Sequence, residues 1–139
     1  MTPSFVIDTS VAMAWLFADE VTSATQRLFD DLSAKQAIVP SWWYVEVANV
    51  LAVAERRGRV SLEQSAHFIV VLQSADIIQD DQASSRAFTH LLPLCRTHRL
   101  TSYDAMYLEL AQRRKLPLAT LDETLRKAAK KLGVKLLGK

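Results

Sequence analysis

Phe5-Val6-Ile7-Asp8-Thr9-Ser10-Val11 is the stretch on which the fold turns. The run from Ser4 to Ile7, apolar from Phe5 on, ends in Asp8 and reads as a short buried strand. Ser10 stands where a hydroxyl caps a helix running on through Val11, Trp15 and Leu16. A strand without polar alternation, followed at once by a helix, is the signature of a parallel sheet covered on both faces.

The same alternation recurs outward from this stretch. A second helix is expected from about Val21 to Ser33, with Leu28, Phe29 and Leu32 on one face. Ala37 to Val39 reads as a strand closed by Pro40, and Ser41 to Arg57 as a long helix stopped by Gly58. Ser61 and Gln64 form a capping box for the next helix. Ala75 to Ile78 reads as a third strand. Asp80-Asp81 then opens a helical stretch that Pro93 kinks or breaks. Ser102 to Arg114 is a helix, Pro117 to Thr120 a strand, Asp122 to Leu132 a helix closed by Gly133, and Val134 to Leu137 the last strand. No repeat, linker or low-complexity segment divides the chain, so one domain over residues 1–139 is expected.

Composition narrows the function classes. Half of the 139 residues are hydrophobic, enough for one sizeable core, while a net charge of +2 is too small to argue for nucleic acid by itself. Cys95 is the only cysteine, which excludes an internal disulfide and suits a reducing compartment. No basic segment followed by an apolar one marks the N-terminus as a secretion signal. Trp42 to Ala54, the longest apolar stretch, is broken by Glu46 and Asn49 and falls short of the roughly 20 residues a membrane span needs. A cytoplasmic protein is expected. With only Gly58, Gly133 and Gly138, there is no glycine-rich phosphate loop, and His67, His90 and His98 show no metal-ligand spacing.

Four carboxylates stand in suggestive places. Asp8 and Asp122 follow the carboxyl ends of two strands, the edge at which open α/β sheets bind ligands. Asp122 also fits a helix cap with Thr120 and Glu123, and Asp8 also fits a turn. Glu46 lies in an apolar helix between Trp42-Trp43-Tyr44-Val45 and Val47-Ala48, with Asn49 three residues on. A carboxylate there faces solvent or must be satisfied by a cation or by donors. Asp104 falls in the first turn of its helix, where the dipole favours an acid. Together the four acids would suit Mg²⁺ or Mn²⁺, which take hard oxygen ligands and relieve carboxylate repulsion. Such an ion activates water and offsets phosphoryl charge without a histidine base or nucleophilic serine.

At this point the sequence resembles the PIN-domain family. The resemblance is carried by four motifs in order: Phe5 to Val11; Glu46-Val47-Ala48-Asn49-Val50-Leu51; Leu100 to Leu108 around Asp104; and Leu118-Ala119-Thr120-Leu121-Asp122. It implies a three-layer α/β/α fold with a central five-stranded parallel sheet and a metal-dependent endoribonuclease. Asp8 and Asp104 carry over as metal ligands, Glu46 and Asp122 as ligands or water-positioning groups, and Thr120 and Asn49 as supporting residues. Glu123 and Thr124 occupy the place where some members carry a further acid or amide. Short bacterial members are toxins of VapBC type, each neutralised by an antitoxin whose tail crosses the first helices. Trp15, Phe17, Trp42 and Trp43 are candidates for that contact or for the core, and a homodimer is expected on resemblance alone.

Two other readings stay in view. The fold could serve as an RNA- or partner-binding module that does not cleave. A phospho-accepting receiver domain would need an aspartate ending a middle strand near position 50 and a lysine after a late strand; a helical Glu46 stands there instead. Arg56, Arg57 and Arg59, and Lys127, Lys130, Lys131 and Lys135, fit an RNA track as well as helix-end or solvated charges.

Overall fold

The computed structural model describes residues 2–139. Met1, the first residue of the expected 1–139 domain, lies outside them. The strands are β1 (Phe5–Ile7), β2 (Ala37–Pro40), β3 (Ile77–Asp80), β4 (Leu118–Ala119) and β5 (Leu136–Leu137). They form one parallel sheet in the order β3-β2-β1-β4-β5. The helices are α1 (Thr9–Leu16), α2 (Ser23–Asp31), α3 (Trp42–Arg56), α4 (Leu62–Ser74), α5 (Leu92–His98), α6 (Ser102–Arg114) and α7 (Glu123–Lys131), with a π-helical turn at Ala87–Leu91. This is the expected three-layer α/β/α arrangement. Right-handed crossovers carry the connections from β1 to β3 over one face and those from β3 to β5 over the other. Accordingly α1 packs on α2 and α3, while α6 packs on α5, α7 and the central strands.

The sheet is buried because its central strands offer no polar alternation. Phe5, Val6, Ile7, Ala37, Ile38, Val39, Leu118 and Ala119 are all core residues. Between β1 and β4 the direction of winding reverses, and a topological switch point opens at the carboxyl ends. The register pairs Ile7 with Ala119, and the Asp8 N–H donates to the Ala119 carbonyl at 3.1 Å. The next residue on each strand, Asp8 and Thr120, therefore meets the other at that point.

Local signals place the helices. Ser61 and Gln64 cap α4 reciprocally, as expected, and Gly58 takes the positive φ of 68° that ends the long third helix. Two expectations are corrected. Asp8, not Ser10, caps α1, because the strand passes into the helix without an intervening loop and the carboxylate accepts the Val11 N–H. Asp80 does not open a helix; it ends β3, where Arg113 holds it. The helical stretch expected to kink or break at Pro93 changes from the π-helical turn to α5 one residue before that proline, which lies in the first turn of α5. Among the described residues no helix is long and apolar enough to cross a membrane.

Candidate active site

Asp8 is the buried centre of the site. It is 5% exposed, and both carboxylate oxygens are engaged. Oδ1 accepts from Ser10 Oγ at 2.6 Å and from the Val11 N–H at 3.2 Å; Oδ2 accepts from Thr120 Oγ1 at 2.5 Å. Burial pushes its pKa up to about 6 against these three hydrogen bonds, and the charge of Asp104 adds to the rise. Every hydrogen bond Asp8 receives comes from a neutral donor; no lysine or arginine pairs with it among the described residues.

Thr120 joins the first and fourth motifs. Its hydroxyl donates to Asp8 and accepts the Asp122 N–H at 3.0 Å, while Ser10 Oγ accepts the Leu121 N–H at 3.0 Å. Asp122 then caps α7, its Oδ1 accepting the Leu125 N–H at 2.8 Å. The cap is real, but Asp122 makes it alone, since Thr120 is occupied by Asp8 and Glu123 pairs with Lys139. Arg126 of α7 locks this corner from outside, donating to the carbonyls of Thr120 at 2.6 Å and Leu137 at 3.0 Å.

Glu46 and Asp104 face Asp8 from α3 and α6. Glu46 Oε1 accepts hydrogen bonds from the Tyr107 hydroxyl and, at 3.2 Å, from Thr9 Oγ1. Burial and then the bond to Glu46 push the Tyr107 phenol far above its ordinary range, so it remains protonated and donates. Asp104 is half-buried one turn before Tyr107, with its N–H held by the Thr101 cap. Burial raises its pKa, and the charges of Asp122 and Glu46 raise it further against a hydrogen bond from Thr101. Four acids from distant parts of the chain thus share one field. Asn49 stays apart: it is exposed and enters no side-chain hydrogen bond among the described residues.

The donor set suits a hard divalent cation. It is anionic and oxygen-only, none of its four acids enters an ion pair among the described residues, and buried Asp8 and half-buried Asp104 are held above their ordinary pKa values. The acids are not drawn into a ready-made cage: among the described residues no three His, Cys, Asp or Glu side chains converge closely enough to hold a metal. Glu46 is tethered to Tyr107 and Asp122 to its own helix.

Thr9 and Tyr107, whose hydroxyls orient Glu46, stand outside the site residues expected from the sequence. A tyrosine three residues after Asp104 shares its face of α6, and that spacing is the signal that pointed to it. Of the four aromatics, Phe17 and Trp43 are core, Trp15 is partly buried with its indole N–H on the Thr25 carbonyl at 2.8 Å, and Trp42 is exposed. Arg59 lies over Phe17 and pairs with Asp19 and Glu20, which removes it from the expected basic track.

A family model described as PIN domain matches residues 5–131. Among solved structures, PAE2754 from Pyrobaculum aerophilum superposes with a TM-score of 0.69 at 24% identity, covering 96% of this chain and 83% of that one. FitAcB from Neisseria gonorrhoeae superposes with a TM-score of 0.64 at 15% identity, covering 95% of each chain. These likenesses are of fold. The comparison with curated proteins returns no match.

Proposed function

The chain belongs to the PIN domain family, a family of nucleases, and on that premise we propose that it is a metal-dependent endoribonuclease acting as the toxin of a toxin–antitoxin pair. The observation that carries the reading is the meeting of Asp8, Glu46, Asp104 and Asp122 in one field at the switch point, with none of them in an ion pair among the described residues. Residues 1–139 act on this reading as one nuclease domain in the cytoplasm.

Asp8 and Asp104 would hold Mg²⁺ or Mn²⁺, with Asp122 closing the set. A bound divalent ion would supply Lewis-acid activation of water and neutralise charge on the phosphoryl oxygen. The chain's own part is orientation. Ser10 and Thr120 fix the Asp8 carboxylate in one rotamer. Tyr107 and Thr9 occupy Glu46 Oε1, which leaves Oε2 as the oxygen free to take a hydrogen bond from the attacking water. Arg126 keeps the β4–α7 corner, and so Asp122, in place.

An antitoxin partner is supported by an apolar groove. Trp15, Leu16, Phe29, Phe68 and Val71 line a cavity of about 470 Å³, which lies beside another of about 540 Å³ between α2 and α4. Trp15, expected as a contact candidate, belongs to this groove. A homodimer remains part of the proposal on family grounds alone.

The deciding experiment is cleavage of an RNA pool by the purified chain with Mn²⁺, Mg²⁺ or EDTA, beside folded Asp8→Asn and Asp104→Asn variants. Cleavage is expected only with metal, and a loss of at least about 100-fold is expected in each variant, the scale of removing one charge-organising group from such a site. Metal binding without cleavage of any RNA would favour a binding module on the same fold.

A further inference from the structure

Beside the acids lies a second feature that the cleavage chemistry does not use. Trp42, in the first turn of α3, and Tyr103, in the first turn of α6, meet edge to face with ring centroids 6.2 Å apart. They are 44% and 53% exposed, unlike the core aromatics Trp43 and Tyr107. Trp42 lies one helical turn before Glu46, and Tyr103 immediately precedes Asp104. Both rings therefore stand on the rim of the acidic cluster, carried by the same helix starts that carry two of its acids.

Between the rings and the π-helical segment is a cavity of about 220 Å³. Leu91 and Met106 form a buried apolar floor, and Ser84 and Ser102 bring hydroxyls to its wall. A flat π-face, an apolar floor and hydroxyls at the edge match a planar heterocycle with hydrogen-bonding edges. The space admits one such ring and is too small for a folded element of another protein. Arg96 and Arg99, which precede α6 in the chain, are exposed and enter no ion pair among the described residues, so both are available to meet phosphates.

We propose that Trp42 and Tyr103 form a subsite that stacks one unpaired nucleobase of single-stranded RNA next to the scissile phosphodiester. This rests on the ribonuclease reading above and deepens it. Single-stranded RNA is recognised by splaying bases onto aromatic side chains, and each stacked base contributes substantially to affinity. The subsite would select for an unstacked nucleotide at a fixed distance from the cut and so confine cleavage to loops and single strands.

The test is the affinity of the full chain, in EDTA, for a fluorescein-labelled single-stranded RNA 12-mer pool, read by anisotropy, with cleavage assayed separately in Mn²⁺. Trp42→Leu and Tyr103→Leu keep apolar area but lose the flat ring, while Trp42→Phe and Tyr103→Phe keep a ring. The expected result is about tenfold weaker binding in each leucine variant, with the phenylalanine variants close to the parent and all melting temperatures unchanged. An oligomer without bases should bind every variant alike. Leucine variants that bind and cleave RNA as the parent does would overturn the subsite and leave the nuclease standing. Unchanged RNA affinity with a lost dimer or lost antitoxin binding would assign the rings to a protein interface and overturn it equally. A parent chain that neither binds nor cleaves RNA would remove the ribonuclease reading and the subsite together.

Discussion

Asp8 carries a cost that only its setting explains. A carboxyl pushed up to about 6 from 3.8 binds its proton more tightly in the folded chain than in the unfolded one. Its contribution to stability is therefore fully present below pH 4 and is lost as pH rises through about 6. The rise from 3.8 to about 6 corresponds to roughly 3 kcal/mol. In EDTA at pH 7, Asp8→Asn should be more stable than the parent by about 3 kcal/mol, whereas at pH 4 the two should be nearly equal. Urea denaturation at both pH values measures this. A variant less stable than the parent at pH 7 would mean that the hydrogen bonds from Ser10, Thr120 and Val11 outweigh the burial of charge. The sequence marked Asp8 as a candidate, but its burial follows from pairing β1 between β2 and β4, which no local pattern states.

At the scale of elements, the crossover from β3 to β4 is held by an ion-pair chain. Arg113 of α6 grips Asp80 at the end of β3 with two bonds, at 3.0 and 2.9 Å, and reaches Glu109 at 2.9 Å; Arg86, ahead of the π-helical turn, takes Glu109 from the other side at 2.9 Å. Asp80 and Glu109 are 9% and 5% exposed. Burial raises the Asp80 carboxyl, but hydrogen bonds from Arg113 and the Gln82 N–H, and the charges of Arg113 and Arg114, bring it below its ordinary value. A lowered carboxylate stabilises the fold above its unfolded pKa of about 4, and that stability is lost as pH falls through the depressed value. Arg113→Met leaves two buried carboxylates short of a partner and should cost about 3 kcal/mol at pH 7. The shift in urea midpoint with an unchanged slope checks it. A loss below about 0.5 kcal/mol would class the pair with ordinary surface bridges. Asp80-Asp81 reads in sequence as the opening of a helical stretch; the partner that holds Asp80 lies 33 positions away.

The whole molecule is organised around its switch point. Winding outward from β1 in both directions brings the first, second, third and fourth motifs to one edge of the sheet, although they span most of the chain. An ion bound there couples to global stability, because the unfolded chain scatters its ligands. At a free concentration 100 times its dissociation constant, the ion adds about 2.7 kcal/mol. Mn²⁺ or Mg²⁺ should then raise the melting temperature by about 5–10 °C, an effect that EDTA reverses and that NaCl at matched ionic strength does not reproduce. An unchanged melting temperature at millimolar Mn²⁺ would count against the metal role of these acids.

Much of this was decided locally. The apolar runs at Phe5–Ile7 and Ala37–Val39, the capping box of Ser61 and Gln64, and the glycine stops specify strands and helices through short-range physics, so element order and sheet class were open to reading from the chain alone. The four acids were legible from different signals: Asp8 and Asp122 from the carboxyl ends of strands, Glu46 from its apolar helix, and Asp104 from its helix start and the motif around it. Tertiary structure alone decided which hydroxyl serves which acid: Thr120 turned toward Asp8, Tyr107 and Thr9 turned toward Glu46, and Asn49 left in solvent. It also parted Trp43 from Trp42, adjacent residues of one helix, sending one to the core and the other to the rim. Hydrogen bonds and burial of this kind depend on which surfaces the sheet register and helix packing bring together, and that is a property of the folded chain as a whole.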